Sequence, residues 1–214
     1  MNTIALIDYG SGNLHSAERA LRQAARNIDQ SCEICVTSEP EEVSKATRVV
    51  LPGVGHFSDC AANLRAVKGL VEALSEAVLS RRAPFFGICV GAQLLATRGL
   101  EDGEVKGLNW IPGDVDLITP GDGYRVPHMG WNNIGLPRAH PVLAGLGEDP
   151  HVYFTHSYAY RNAAEADIAA TTNYGETVIA AVARGNIFAT QFHPEKSQET
   201  GLRILSNFIL WDPE

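Results

Sequence analysis

A cysteine between two glycines is the first candidate for chemistry in this chain. The segment from Phe85 to Gln93 reads Phe-Phe-Gly-Ile-Cys-Val-Gly-Ala-Gln. Gly87 and Gly91 lie two residues to either side of Cys89, a spacing that lets a strand turn sharply into a helix and expose the residue at the turn. At a helix start, unpaired N–H groups and the helix dipole favour the thiolate. The pattern predicts a nucleophile; the alternative is a buried structural cysteine, because free cysteines are often buried.

A matching base lies near the C-terminus, in the sequence His193-Pro194-Glu195. In extended backbone, residues two apart face the same side, and Pro194 disfavours helix. Glu195 can therefore orient the His193 ring, and with Cys89 the three side chains would form a triad for covalent acyl transfer. Taken alone, His-Pro-Glu is more often a turn with a solvated carboxylate.

A glycine-rich loop could supply the oxyanion site that a triad needs. The short apolar strand from Arg48 to Leu51 runs into Pro52-Gly53-Val54-Gly55, whose flexible backbone can present N–H groups to a developing oxyanion. Val90 N–H, directly after the nucleophile, is the predicted second donor. A plain turn at the end of a strand is the alternative, since Gly and Pro mark such turns generally.

Together these motifs resemble those of the class I glutamine amidotransferases that use a Cys–His–Glu triad. Three further segments narrow the resemblance to the glutaminase subunits of imidazole glycerol phosphate synthase: Val126 to Asn132, Tyr153 to Tyr158 and Gln191 to Ser197. The resemblance runs from Asp8 to the last helix. Val90 and Ala92 depart from the usual Leu and Met of the family, which affects packing beside the nucleophile rather than the chemistry.

The resemblance implies a role for each matched residue. Cys89 attacks the side-chain amide of glutamine, His193 moves the proton, Glu195 orients His193, and the N–H groups of Val54 and Val90 stabilise the oxyanion. Glutamine is then held by Gly53, Gly55, Gln93, His156, Ser157 and Tyr158. The partner synthase chain is contacted by Asn13, His128, Trp131, Tyr153 and Lys196.

The implied activity is hydrolysis of glutamine, with the ammonia passed to a (β/α)8-barrel cyclase that forms imidazole glycerol phosphate and an aminoimidazole carboxamide ribotide in histidine biosynthesis. No metal or organic cofactor is expected. Two alternatives remain at this point: a glutaminase subunit of another synthase, and a noncatalytic regulatory module of the same fold. The segment Val126 to Asn132 disfavours the first, and the intact triad disfavours the second.

The element pattern predicts an α/β fold. In the first half, strands at Thr3–Asp8, Glu33–Thr37, Val49–Leu51 and Phe85–Ile88 alternate with helical spacing, which indicates a parallel sheet covered on both faces. The second half reads as strands joined by turns, expected to extend the sheet in antiparallel fashion, before a closing helix. These later elements are Val115–Ile118, Asn132–Leu136, Val152–His156, Ile168–Thr172, Val178–Arg184, Ile187–Gln191 and the helix Thr200–Leu210. The resemblance makes this a flavodoxin-like amidotransferase fold, with residues 1–214 as a single domain.

Composition limits the classes of partner. A chain of 214 residues with 45% hydrophobic content suffices for one α/β domain, and its net charge of −8 disfavours nucleic acid. No apolar run reaches the ~20 residues that span a bilayer, and no targeting segment is recognisable, so we expect a cytosolic protein without a membrane partner.

Two further motifs are weak. Cys32 and Cys35 form a Cys-x-x-Cys pair, but no second pair accompanies them, so strand positions are favoured over a zinc or redox site. The loop from Asp8 to Asn13 contains Gly-Ser-Gly but lacks the third glycine of a dinucleotide loop, which favours contact with a partner.

Overall fold

The computed structural model describes residues 2–213, in which strands and helices alternate through the first half of the chain. The strands are β1 Asn2–Ile7, β2 Cys32–Thr37, β3 Arg48–Leu51, β4 Phe85–Ile88, β5 Arg98–Gly99, β6 Val105–Lys106, β7 Asp114–Leu117, β8 His128–Asn133, β9 His151–His156, β10 Tyr158–Arg161, β11 Ile168–Asn173, β12 Thr177–Arg184 and β13 Ile187–Thr190. The helices are α1 Leu14–Asn27, α2 Pro40–Lys45, α3 Phe57–Ala66, α4 Leu70–Ser75, α5 Val90–Gln93 and α6 Gln198–Leu210. A π-helical turn, Glu76–Ser80, continues α4.

Seven strands of the described chain form the central sheet, in the order β11-β12-β13-β4-β3-β1-β2. The pairs from β2 through to β13 are parallel, whereas β12 and β11 are added antiparallel at one edge. Both β3 and β4 are buried at every position, as expected of parallel strands covered on two faces. The predicted mostly parallel sheet with an antiparallel extension is confirmed.

The helices cover both faces of this sheet. The chain moves outward from β1 to β2 and then returns through β3 to β4, so right-handed crossovers place α1 on one face and α2, α3 and α4 on the other. Helix α1 packs beside α6 on its face. The sequence of α1 accounts for its burial, because its buried side chains recur at helical spacing. These are Ala17, Ala20, Leu21, Ala24 and Ala25.

The strands of the middle segment do not extend the central sheet, so that part of the prediction was wrong. Strand β7 belongs to a separate sheet of order β10-β7-β5-β6, and β8 pairs only with β9 within the described chain. The strand expected at Asn132–Leu136 instead runs over His128–Asn133, and it ends where Asn133 lies opposite His151, the first residue of β9. Strand β10 was missed because only Ser157 separates it from β9, with no turn motif between them.

The glycines that flank Cys89 allow helix α5 to approach the ends of β3 and β4 closely. A Cβ added to Gly91 would collide with the carbonyl oxygen of Leu51, the last residue of β3. A Cβ on Gly87 would lie 3.0 Å from Cα of Ala92, in the turn that follows. These contacts explain the Gly-x-Cys-x-Gly spacing in terms of backbone packing.

Replacing Gly91 by alanine should therefore damage the fold. We expect Gly91→Ala to lower the free energy of unfolding by at least about 3 kcal/mol, since overpacking against fixed backbone cannot be relieved by a side-chain movement. Gly121→Ala is the matched control, because nothing lies within 4 Å of its Cβ position, and we expect a change below about 1 kcal/mol. Denaturant unfolding of the two variants checks this; equal stabilities would contradict the packing explanation.

Candidate active site

Three segments meet at the carboxyl ends of neighbouring strands. Leu51 of β3 pairs with Gly87 of β4, and Ile88 of β4 pairs with Thr190 of β13. The loop after β3, Cys89 after β4 and His193 after β13 therefore leave the sheet side by side. Ligands of open α/β sheets bind at this edge.

Cys89 occupies a strained turn between β4 and α5. Its backbone has φ 53° and ψ −111°, a conformation that non-glycine residues rarely adopt and that is common where a nucleophile is presented. The turn is held by a hydrogen bond from Cys89 N–H to the Thr190 carbonyl, 2.8 Å. On the other side, the amide Nε2 of Gln191 lies 3.7 Å from the Cys89 sulfur.

His193 and Glu195 form a buried pair next to Cys89, although the backbone at Pro194–Lys196 is a 3₁₀ helix and not extended as predicted. Nδ1 of His193 lies 2.8 Å from Oε1 of Glu195, and their side chains are 2% and 3% exposed. The other ring nitrogen, Nε2, has no hydrogen-bond partner of ordinary geometry among the described residues. Burial disfavours the charged ring, but negative charge at Cys89 and at Glu195 outweighs it and raises the pKa of His193 to about 10. The arrangement favours a protonated His193 ring beside the Cys89 sulfur.

The loop after β3 does not present the two N–H groups that were predicted to bind an oxyanion. Val90 N–H donates to the Gly53 carbonyl at 3.3 Å, so the donor nearest to the nucleophile is occupied. In a trans peptide the C=O and N–H bonds point in opposite directions. Because the Gly53 carbonyl points at Val90, the N–H of Val54 points away from it.

A cavity of about 350 Å³ opens in front of Cys89, within the range of small-molecule sites. His156, Ser157 and Tyr158 line it, as do Val54, Gly55, Val90, Gln93 and His193. Gln93 is fixed there, since its Nε2 donates to the Tyr158 carbonyl at 2.9 Å and to Gln191 Oε1 at 3.1 Å. Gly53, predicted to hold substrate, instead lies behind this wall, where a Cβ would meet Gly91 N at 2.6 Å.

The chain matches one protein family over nearly its whole length. The family model for glutamine amidotransferase class-I matches residues 5–211. The chain belongs to this family. The imidazole glycerol phosphate synthase subunit HisH of Bradyrhizobium diazoefficiens is 53% identical over 99% of this chain and all of its own length. The HisH subunit of Caulobacter vibrioides is 52% identical over the full length of both chains.

Solved structures agree on the fold. A glutamine amidotransferase aligns with a TM-score of 0.70 at 20% identity, over 97% of this chain and 99% of its own. A protein described as a putative GMP synthase subunit, from Thermoplasma acidophilum, aligns with a TM-score of 0.68 at 21% identity, over 98% of this chain and 92% of its own. At this identity the likeness concerns the fold alone.

The residues predicted to contact a partner divide into exposed and buried ones. On the surface of the amidotransferase, Trp131 is 47% exposed. The centroids of the Trp131 and Tyr153 rings are 6.0 Å apart, and Nζ of Lys196 lies 5.9 Å from the centroid of the Tyr153 ring. Asn13 is exposed at the start of α1, where its side chain accepts from Ser16 N–H. His128 does not face outward as expected.

His128 is 2% exposed because β8 turns it inward, between the rings of Phe154 and Tyr174. Its Nδ1 lies 3.1 Å from Nε2 of His156, whose Nδ1 lies 3.0 Å from the Tyr158 carbonyl. Because a carbonyl only accepts, His156 carries its proton on Nδ1 and His128 donates to it. Burial lowers the pKa of His128 to about 4 and that of His156 to about 3, so both rings are neutral at pH 7.

Five residues of the site were not predicted from the sequence: Gln191 beside Cys89, and His56, Glu101, Pro127 and Thr155 of the cavity lining. Gln191 stands two positions before His193, so alternation alone could have placed it on the same side. Glu101 lines the cavity, and its Oε2 accepts the Phe57 N–H at 2.8 Å. It lies on a loop with no motif to mark it.

The remaining motifs show no second site. Within residues 2–213, no group of three His, Cys, Asp or Glu side chains could hold a metal ion, and none of the four cysteines is in a disulfide. Cys32 and Cys35 lie on β2, the predicted strand. No helix between residues 2 and 213 is long and apolar enough to cross a bilayer.

Replacing Glu195 by glutamine should slow the amidotransferase and change its pH dependence. Glutamine is a weaker partner than glutamate for the protonated His193 ring, so turnover should fall. We expect a loss that approaches the roughly 10⁴-fold found when the analogous carboxylate of serine proteases is neutralised. Because Glu195 is one of the charges that raise the pKa of His193, the alkaline fall of kcat/KM, near pH 10 in the wild type, should move to lower pH. Glutamate release measured against pH checks both effects.

Glu199→Gln is the matched control, since Glu199 is exposed in the first turn of α6. We expect its profile to follow the wild type. A loss in Glu195→Gln smaller than about tenfold, against the roughly 10⁴-fold of that precedent, would mean that another group orients His193.

Proposed function

We propose that this chain is the glutaminase subunit of an imidazole glycerol phosphate synthase. One observation carries the proposal: Cys89, on a strained turn, shares a cavity with a His193 ring that Glu195 holds at 2.8 Å. The HisH relatives, at 53% and 52% identity over their full lengths, support the place of this activity in histidine biosynthesis. We further propose that residues 1–214 act as one domain.

The reaction follows from the geometry. Cys89 sulfur attacks the side-chain carbonyl of glutamine, and the carbon–nitrogen bond breaks as His193 gives its proton to the departing ammonia. A γ-glutamyl thioester remains. His193 then takes a proton from water, whose oxygen bonds to the carbonyl carbon while the carbon–sulfur bond breaks, which releases glutamate and restores the thiolate.

Glutamine would be held in the cavity by one charged side chain and by a wall of polar residues. Glu101 is the carboxylate among the described residues that line it, and we assign it to the α-ammonium group. Gln93, His156, Ser157 and Tyr158 form the wall along the substrate, and the buried hydrogen bonds of Gln93 and His156 keep this wall in place.

The oxyanion site would be completed by a rotation of the Gly53–Val54 peptide. This rotation frees Val90 N–H from the Gly53 carbonyl and turns Val54 N–H towards the thioester oxygen. Each oxyanion donor contributes about 10²–10³ in rate, so the resting arrangement should be a poor catalyst until a partner shifts the peptide.

The partner we propose is a (β/α)8-barrel cyclase subunit in a heterodimer. Ammonia in neutral water is mostly ammonium, which is not nucleophilic, so direct transfer is required. A void of about 10 Å³, about the least that holds one water, is lined by His193 on one side and by the exposed Asn13, and it would admit ammonia. Its lining includes Gly53, Val54 and Glu195. Four unpaired cysteines suit a reducing compartment, so we propose the cytoplasm.

Cys89→Ala separates the two half-reactions. We expect it to abolish synthesis from glutamine in the complex with the cyclase but to preserve synthesis from added ammonia, because only the nucleophile is lost. Product formation with each nitrogen source checks this. Glutamine-dependent synthesis by the variant would refute the role of Cys89.

The other cysteines provide controls. Three variants should retain glutamine-dependent synthesis: Cys32→Ser and Cys35→Ser on β2, and Cys60→Ser on α3. An electrophilic glutamine analogue should label the wild type at Cys89 only, as read by mass spectrometry of the digested protein.

A further inference from the structure

Three successive carbonyl groups of the oxyanion loop are held by three different donors. The Tyr9 hydroxyl donates to the Pro52 carbonyl at 2.7 Å. Val90 N–H donates to the Gly53 carbonyl at 3.3 Å, and the Cys60 thiol donates to the Val54 carbonyl at 3.5 Å. The two outer bonds come from side chains outside the loop, and the middle one comes from the backbone beside the nucleophile.

This arrangement separates one peptide from its neighbours. When the Gly53–Val54 peptide rotates, ψ of Gly53 and φ of Val54 change in opposite senses, and the flanking peptides keep their places. Only the bond from Val90 N–H must break, while those from Tyr9 and Cys60 persist. Gly53 is the residue type that permits the largest change of backbone angles.

We propose that Tyr9 and Cys60 are positioning residues for the reaction: by fixing the Pro52 and Val54 carbonyls, they confine the activating rotation to the Gly53–Val54 peptide and deliver Val54 N–H to the oxyanion site. This inference rests on the proposed glutaminase function. Neither residue lines the cavity, so each acts through the loop.

The chemistry of both side chains suits this role. Tyr9 is 4% exposed and Cys60 is fully buried. Burial raises the pKa of the Tyr9 hydroxyl and that of the Cys60 thiol, so both stay protonated and can donate. Buried donors of this kind lose little to competition with water, in contrast to exposed pairs.

Tyr9 also joins the oxyanion loop to the loop that carries Asn13. A Cβ on Gly12 would lie 3.1 Å from Cβ of Pro52, so the loop between β1 and α1 packs directly on Pro52. The Tyr9 hydrogen bond and this contact therefore link the loop that carries Asn13 to the oxyanion loop.

Tyr9→Phe tests the inference in the complex with the cyclase and its ribotide ligand. We expect kcat for glutamate release to fall by about tenfold, because a donor displaced by a fraction of an ångström stabilises the oxyanion poorly. KM for glutamine and synthesis from added ammonia should be unchanged. Tyr160→Phe is the matched control, since its buried hydroxyl donates to the Ile111 carbonyl at 2.9 Å, away from the loop.

Cys60 provides an independent arm of the test. Cys60→Ala should lower kcat in the same way, whereas Cys60→Ser, which keeps a donor, should restore it. Three results would overturn the inference. The first is an equal kcat for Tyr9→Phe and Tyr160→Phe, and the second is an effect of Tyr9→Phe on KM alone. The third is an equal kcat for Cys60→Ala and Cys60→Ser. A wild-type complex without glutamine-dependent activity would instead overturn the proposed function, and the inference with it.

Discussion

The close approach of helix α5 to the end of strand β3 underlies the whole site. Gly91 packs against the Leu51 carbonyl without room for a Cβ, and this contact brings the turn at Cys89 against the loop that follows β3. The same approach sets Val90 N–H on the Gly53 carbonyl. Packing that forms the turn at Cys89 therefore also occupies the N–H group that we propose as an oxyanion donor, so the resting site is assembled but closed.

The protonation state of each histidine in the site depends on two opposing effects, the burial of its ring and the charges of the neighbouring side chains. Both His156 and His193 line the cavity, yet burial lowers the pKa of the first to about 3, while the charges of Cys89 and Glu195 raise that of the second to about 10. The neutral ring orients the substrate wall through fixed hydrogen bonds. In the reaction proposed, the charged ring carries the proton that the leaving ammonia needs. One residue type thus performs two tasks because its partners differ.

Much of the fold could be predicted from the sequence, because buried parallel strands such as Phe85–Ile88 are continuous apolar runs with distinctive flanking glycines. The placement of β8 could not, because its exposed face carries Met129 and Trp131 and so hides the alternation of buried and exposed positions. The inward turn of His128 was lost for the same reason.

Site residues could be predicted from the sequence where they belong to a short motif. Cys89, His193 and Glu195 could be named from short spacings, and the structure brings them together at one sheet edge. Tyr9 lies far in the chain from the oxyanion loop that it contacts, whereas Cys60 and Glu101 lie nearer to the motifs but outside them. No local pattern marks such contacts.

The central claim is that the oxyanion site is closed at rest by the bond from Val90 N–H to the Gly53 carbonyl and is opened by a partner. The most direct test is glutamate release by the purified chain, alone and with the cyclase and its ribotide ligand. Recovery of one oxyanion donor predicts an increase of at least about 10²-fold in the complex. Equal rates in the two conditions would contradict the account.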